Sequence, residues 1–248
     1  MAPPDGGAAA TPPSARSVVV TGVGRAAQLG EAIAAAFALD GARVAIVARS
    51  RAVANERADA LRERGLDVHP YACDLADAAA AVAVAREIDA DAGGVHALIN
   101  AAGGFAPSGP VIESDPAVLH AQFSINVATA FAATRAFLPS LRRNRGAVLF
   151  FSSAAALPGG RVRELSAYAM AKSGVITLMR AVAQEERGAG TGVRANAIAP
   201  GAVRTASNVA SMAPGTRFVE PDAVASLAVF LCSPAATHVT GQVIELTP

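Results

Sequence analysis

Ser17-Val18-Val19-Val20-Thr21-Gly22-Val23-Gly24-Arg25-Ala26-Ala27-Gln28-Leu29-Gly30 leads from a β-branched run through a glycine-bearing turn into the alanine-rich segment Leu29–Leu39. A buried strand, a tight turn and a helix in that order open a βαβ unit. Glycines at such a turn let backbone amides approach a pyrophosphate at the helix N-terminus, where the dipole also favours negative charge. Gly22, Gly24 and Gly30 would form that cradle, with Arg25 beside them. A tight turn of purely structural use could carry similar letters, so the reading depends on the rest of the chain.

The same rhythm continues to the end. Apolar runs predict strands at Ser17–Thr21, Arg43–Ala48, Asp67–Ala72, His96–Asn100, Ala147–Ser152, Val193–Ile198 and Gln242–Leu246. Segments of helical period between them predict helices at Leu29–Leu39, Ala52–Arg64, Ala76–Ala90, Val118–Arg142, Ser166–Glu186 and Pro221–Leu231. Alternation of this kind gives an α/β fold, a single-domain Rossmann-type doubly wound parallel sheet of about seven strands flanked by helices. Residues 16–248 are read as one dinucleotide-binding and catalytic domain, because no composition shift interrupts the pattern. Ligands of such sheets lie at the carboxyl ends of the strands.

Composition narrows the function. Of 248 residues, 52% are hydrophobic and 17% charged, with a net charge of +1. That balance offers neither a basic nucleic-acid surface nor a polybasic membrane anchor, and no apolar run reaches the length of a membrane span. Met1–Ala15, rich in Ala, Pro and Gly, reads as a disordered tail rather than a secretory signal. Cys73 and Cys232 are too few for a disulfide framework, and His69, His96, His120 and His238 lack ligand spacing, so no metal is expected. A cytoplasmic protein acting on a small molecule fits these limits.

Of 21 basic residues, one alone is a lysine, Lys172, four residues after Tyr168. Positions i and i+4 share a helix face, so a phenol and a compact ammonium would point the same way. Arginine could not serve there, since it holds its proton too tightly and its fork is broader. Arg49, Ser50 and Arg51 follow the second strand where an acidic residue would select NAD; a small residue flanked by cations leaves room for a 2′-phosphate, so NADP(H) is preferred over NAD(H), with Arg25 a second cation. Asp74, followed by Leu75, could accept from an adenine amine or simply cap a helix. Asn100-Ala101-Ala102-Gly103-Gly104 after the fourth strand would let a cofactor approach the backbone, as would an ordinary loop.

Taken in order, the glycine turn, Asp74, the Asn100–Gly103 segment, Asn126, Ser153, Tyr168-Ala169-Met170-Ala171-Lys172 and Asn196–Thr205 resemble the short-chain dehydrogenase/reductase family. The resemblance runs from Ser17 to Glu245. It implies an NADP(H)-dependent oxidoreductase that reduces a carbonyl or oxidises a secondary alcohol. Tyr168 would be the acid or base; Lys172 would lower its pKa and hold the nicotinamide ribose; Ser153 would orient the substrate oxygen. Asn126 would support a water relay from the lysine, although a mid-helix amide can also satisfy a kinked backbone. In Pro200-Gly201-Ala202-Val203-Arg204-Thr205, the Val203 backbone would meet the nicotinamide amide and Thr205 the phosphates. The family also implies a homotetramer, or a homodimer, built on the long helices of the fifth and sixth crossovers.

Three departures from the family pattern stand out. The glycine turn is two residues longer, with Gln28 where the middle glycine falls; the Ser153-to-Tyr168 interval is two residues longer and adds Arg161 and Arg163; and the lid region Thr205–Pro221 is short, implying an open pocket. Asn208–Pro214 and Phe218–Pro221 resemble a subgroup similar to dihydropteridine reductases. A non-redox dinucleotide-binding protein would share the fold, but the intact set Asn126, Ser153, Tyr168 and Lys172 argues against it. A lyase or epimerase with a tightly held cofactor is a third reading.

Overall fold

The computed structural model describes residues 16–248, so the tail read over Met1–Ala15 lies outside the described residues. Seven parallel strands, β1 (Ser17–Thr21), β2 (Arg43–Ala48), β3 (Val68–Ala72), β4 (Ala97–Asn100), β5 (Ala147–Phe151), β6 (Arg194–Pro200) and β7 (Val243–Leu246), form one sheet in the order β3-β2-β1-β4-β5-β6-β7. Strand order reverses between β1 and β4, where Val18, Val19 and Val20 pair with Ala97, Leu98 and Ile99. A ligand crevice therefore opens above the carboxyl ends of those two strands.

Strand alternation divides the core in two. Val18 and Val20, with Ile46 and Ile99, pack against Ile33 and Phe37 of α1 (Leu29–Leu39), Leu61 of α2 (Arg51–Arg62) and Leu231 of α8 (Pro221–Cys232). Val19, Leu98 and Phe150 pack against Ile88 of α3 (Ala78–Ala92), Phe137 of α5 (Thr129–Asn144) and Met179 of α6 (Ser166–Gly188). Each fully buried Phe, Ile or Leu contributes about 1.5–3 kcal/mol of hydrophobic stabilisation. Strands with both faces covered need no polar alternation, which is why β1 and β5 read as unbroken apolar runs.

Element ends differ from the sequence reading where capping chemistry decides them. Asp77 accepts from the amides of Ala79 and Ala80, so α3 begins at Ala78 rather than Ala76. Asp115 likewise accepts from Ala117 N, with Pro116 opening α4 (Pro116–Phe123). The single helix expected over Val118–Arg142 is α4, a π-helical turn at Ser124–Ala128, and α5. Asn126 causes the widening locally: its Nδ2 donates to the Gln122 carbonyl at 3.0 Å, a side chain competing for the helix ladder. Beyond β6, the lid carries a short helix, α7 (Ala206–Ser211), pinned at its base by the Val203–Val219 bridge.

Among the described residues no helix is long and apolar enough to cross a membrane, no group of His, Cys, Asp and Glu could hold a metal, and both cysteines are free thiols.

Candidate active site

The end of the crevice above β1 and β4 is built by backbone contact. Gly22 has φ +76°, and a Cβ there would stand 2.5 Å from the Cα and N of Ala102. Only glycine accepts both the left-handed backbone and that approach. Thr21, fully buried, fastens the same junction: its hydroxyl donates to the Ile99 carbonyl at 3.2 Å and accepts from Ala102 N at 3.1 Å. Gly30 packs against the Gly22 carbonyl, where a Cβ would come to 3.1 Å. Gly24 faces open space instead. Gln28 is the N-cap residue of α1 with an unengaged side chain, so amides at the start of that helix face the crevice without a side-chain cap. Small residues, an open cradle and a helix N-terminus fit a dinucleotide pyrophosphate.

Arg25, Arg49 and Ser50 are exposed at the rim, and neither arginine enters an ion pair among the described residues. Arg51 is engaged elsewhere, donating to the Pro70 carbonyl at 2.9 Å. Asp74 is not a helix cap: its Oδ1 accepts from Ala76 N at 3.0 Å in a local turn, and Asp77 caps α3. Leu75 lies in the core. Asn100, buried at the end of β4, donates to Thr134 Oγ1 at 3.0 Å while its Oδ1 has no partner. Ala101 N bonds the Ile99 carbonyl, so the chain turns sharply toward Gly103. Gly201 N bonds the Leu246 carbonyl just after Pro200, and the Thr205 hydroxyl caps α7, accepting from Asn208 N.

The chemical end lies where β5 and α6 meet. Tyr168 and Lys172 occupy one face of α6, and Lys172 Nζ stands 5.8 Å from the centroid of the Tyr168 ring. Ser152 and Ser153 point oppositely, as strand alternation requires. Ser152 is buried and donates to the Lys172 carbonyl at 3.0 Å, whereas the Ser153 hydroxyl is on the tyrosine side. Burial pushes the Tyr168 phenol above its ordinary value, and the nearby Ser153 hydroxyl, which accepts from Ala155 N at 3.3 Å, pulls it part of the way back. Lys172 donates to the Phe151 carbonyl at 2.9 Å, and burial drives its pKa from 10.5 down to about 8. Its ammonium is thus held by backbone beside the tyrosine ring. Phe105 packs edge-on against Tyr168, centroids 5.1 Å apart, and is itself largely exposed at the mouth.

Asn126 is buried and clamps the loop after β4. Its Oδ1 accepts from Gly104 N at 3.2 Å, and its Nδ2 donates to the Gly104 carbonyl at 3.0 Å. A Cβ on Gly103 would lie 2.7 Å from that Oδ1 and 3.4 Å from Lys172 Nζ, so loop, amide and ammonium converge. Two contributors escaped the sequence reading. Thr21 looked like the last residue of a strand, and Gln122, buried beside Asn126 at 3.3 Å, looked like an ordinary helix position. Only the polarity of Thr21 at a strand end hinted at its role.

A cavity of about 970 Å³ runs beside the segment that follows Ser153, lined by Ala155, Leu157 and Val162, and along α6 by Ser166, Met170 and Ser173. Those three α6 positions lie on a different helix face from Tyr168 and Lys172.

Comparison with known proteins agrees with this geometry. The family described as enoyl-(acyl carrier protein) reductase matches residues 22–246. The chain is 36% identical over 241 residues to galactitol 2-dehydrogenase (L-tagatose-forming) of Cereibacter sphaeroides, covering 92% of this chain and 91% of that protein. It superposes on a short-chain type dehydrogenase/reductase from Mycobacterium ulcerans with a TM-score of 0.84, 28% identity and coverage of 94% and 88%. A 7α-hydroxysteroid dehydrogenase complexed with NADH and 7-oxo glycochenodeoxycholic acid gives the same TM-score at 28% identity, with coverage of 93% and 92%. The chain belongs to the short-chain dehydrogenase/reductase family, oxidoreductases that act on alcohols and carbonyls with a nicotinamide dinucleotide.

Proposed function

We propose that this protein is an NADP(H)-dependent oxidoreductase that reduces a ketone or aldehyde, or oxidises the corresponding secondary alcohol. The observation that carries the reading is the convergence of Ser153, Tyr168 and Lys172 where β5 meets α6, the serine hydroxyl close enough to act on the phenol and a buried ammonium 5.8 Å from its ring. When bound, the nicotinamide cofactor supplies or accepts the hydride. Tyr168 gives its phenolic proton to the carbonyl oxygen in reduction and takes it back in oxidation. Ser153 donates a hydrogen bond that places that oxygen against the phenol. Lys172 holds the nicotinamide ribose and favours the phenolate through its charge. Asn126 Oδ1 and Lys172 Nζ both border the space where a Gly103 Cβ would lie, which supports a water path from Nζ outward.

Arg25 and Arg49, without an ion pair among the described residues, together with Ser50 support a 2′-phosphate at the end of β2. Gly22, Gly24 and Gly30 would take the pyrophosphate, Asp74 and Leu75 the adenine, and Asn100, Ala101, Gly103, Pro200, Gly201, Val203 and Thr205 the nicotinamide half. Phe105, exposed and edge-on to Tyr168, and Val162, exposed in the lining of the large cavity, favour a substrate with an apolar body. Phe123, Phe131 and Met170 leave an apolar face on α4, α5 and α6 beside the 970 Å³ cavity, which favours a homodimer or homotetramer closed across those helices. Two free thiols suit the cytoplasm.

Titration with NADPH and NADH, followed by comparison of wild type with Tyr168→Phe over a panel of ketones, aldehydes and secondary alcohols, tests the assignment. The expected result is tighter NADPH binding and loss of turnover in the variant. Failure to bind either nucleotide overturns the reading, and full turnover by Tyr168→Phe removes the tyrosine from its role.

A further inference from the structure

The turn between β1 and α1 contains contacts that the mechanism above does not use. Ala27 is one of three non-glycine residues with positive φ among the described residues, at +53°, in an exposed position. Two hydrogen bonds hold it there. Its N–H donates to Glu31 Oε2 at 3.1 Å, and its carbonyl accepts from Ala206 N at 3.2 Å, the first residue of α7. Glu31 is held in turn from α2, where Arg57 Nη1 lies 3.5 Å from the same oxygen; the Arg57 side chain is only 11% exposed and also pairs with Glu56. A line of contacts thus runs from Arg57 through Glu31 and Ala27 to the lid.

We propose that Glu31 is a positioning residue that holds Ala27 left-handed, making the glycine turn the anchor of the α7 lid and joining the nucleotide and substrate sites mechanically. The proposal rests on the reading of this turn as the dinucleotide site. An acidic residue at the third helical position ordinarily reaches back to the N-cap amide. Here it reaches one residue further, to Ala27, while the Gln28 carbonyl serves the amides of Glu31 and Ala32. A carboxylate placed only to stabilise the helix would not need a residue that pays a left-handed strain, nor a lid amide on the far side of it. Because Ala206 N finds its acceptor in Ala27, any ordering of the turn is transmitted to the start of α7.

The test compares Glu31→Ala, Glu31→Gln and the double variant Glu31→Ala/Ala27→Gly with wild type. Three quantities are read: NADPH affinity by fluorescence, amide exchange of Ala206–Ser211 in the nucleotide-free protein, and the thermal midpoint. Glu31→Ala is expected to weaken NADPH about tenfold and to speed α7 exchange by a similar factor, the scale of losing one hydrogen bond to a charged group. Glu31→Gln keeps an acceptor oxygen and stays within about twofold of wild type. The double variant recovers most of the loss, because glycine adopts the left-handed backbone without help. If Glu31→Ala lowers the thermal midpoint but leaves both α7 exchange and NADPH affinity unchanged, Glu31 is a helix cap and the proposal is overturned. Wild type binding neither NADPH nor NADH would instead remove the nucleotide reading, while exchange in the free protein still decides whether Glu31 anchors the lid.

Discussion

Replacing Lys172 by methionine should make the protein more stable and inactive at once. Lys172 is 7% exposed, and burial alone lowers its pKa from 10.5 to about 8. At about 1.4 kcal/mol for each pH unit, keeping that charge buried at neutrality costs the fold about 3 kcal/mol. Methionine has a similar length and carries no charge, but it leaves the Phe151 carbonyl without the donor now at 2.9 Å, a loss of roughly 1 kcal/mol. The net gain at pH 7 is about 2 kcal/mol, or a rise of about 4–8 °C in Tm for a domain of this size. The sign reverses with alkali in a defined window. Between about 8 and 10.5 the unfolded lysine binds more protons than the folded one, so wild-type stability rises with pH there. The advantage of Lys172→Met is therefore complete below pH 8 and vanishes above about pH 10.5, leaving the lost hydrogen bond. Urea unfolding of both proteins at pH 7 and near pH 10.5 measures it, alongside turnover with NADPH. A methionine variant that is less stable than wild type at pH 7, or an equal difference at both pH values, refutes the reasoning.

Gly22→Ala should cost roughly 3–4 kcal/mol, combining a left-handed alanine with backbone overpacking, whereas Gly24→Ala should stay within about 1 kcal/mol because its Cβ meets nothing; paired denaturation curves compare them. Glu186 is fully buried, and the Arg142 fork, at 2.7 and 3.0 Å, holds its carboxyl below the usual range. Its stabilising effect is present above the ordinary carboxyl pKa and is lost as pH falls through the lowered one; because Arg142 is half exposed and Thr191 still donates to Glu186, Arg142→Ala should destabilise by about 1–2 kcal/mol at pH 7 and by less below about pH 4, followed by denaturation across that range. With the Tyr168 phenol raised above about 10 by burial, the phenolate fraction and with it alcohol oxidation should climb with pH through about 10, while carbonyl reduction, which uses the protonated phenol, should hold steady over the same range; initial rates in both directions with saturating nucleotide check it.

How much of this was legible in the sequence follows from what each signal depends on. Strand positions came through almost unchanged because a two-face-buried strand must be apolar throughout, and βαβ connectivity fixed the sheet. The lone Lys172 at i+4 from Tyr168 placed both on one face without any tertiary knowledge. What escaped depends on long-range partners. Asp74 and Asp77 are indistinguishable as cap candidates until the backbone shows which amides lie within reach. The π-helical turn needs Asn126 to find both Gln122 and Gly104, a residue 22 positions earlier. The separate directions of Ser152 and Ser153 could be foreseen from alternation, but the bond of Ser152 to the Lys172 carbonyl could not.

The junction at Thr21, Gly22 and Ala102 carries a consequence for how the molecule comes into being. The bonds from Thr21 to Ile99 and Ala102 join residues 78 and 81 positions apart. Closing a loop of that length is slow relative to forming any of the local turns, and the floor of the crevice exists only once it is closed. During synthesis, β1, α1, β2 and β3 emerge well before β4, yet they cannot present the nucleotide turn in its final shape. Dinucleotide cannot act as a template for the first half of the chain; it can capture only a molecule whose β4 is already in place, and stabilises it from then on. A fragment ending before Ala97 should thus refold, if at all, without responding to nucleotide, however complete its glycine motif.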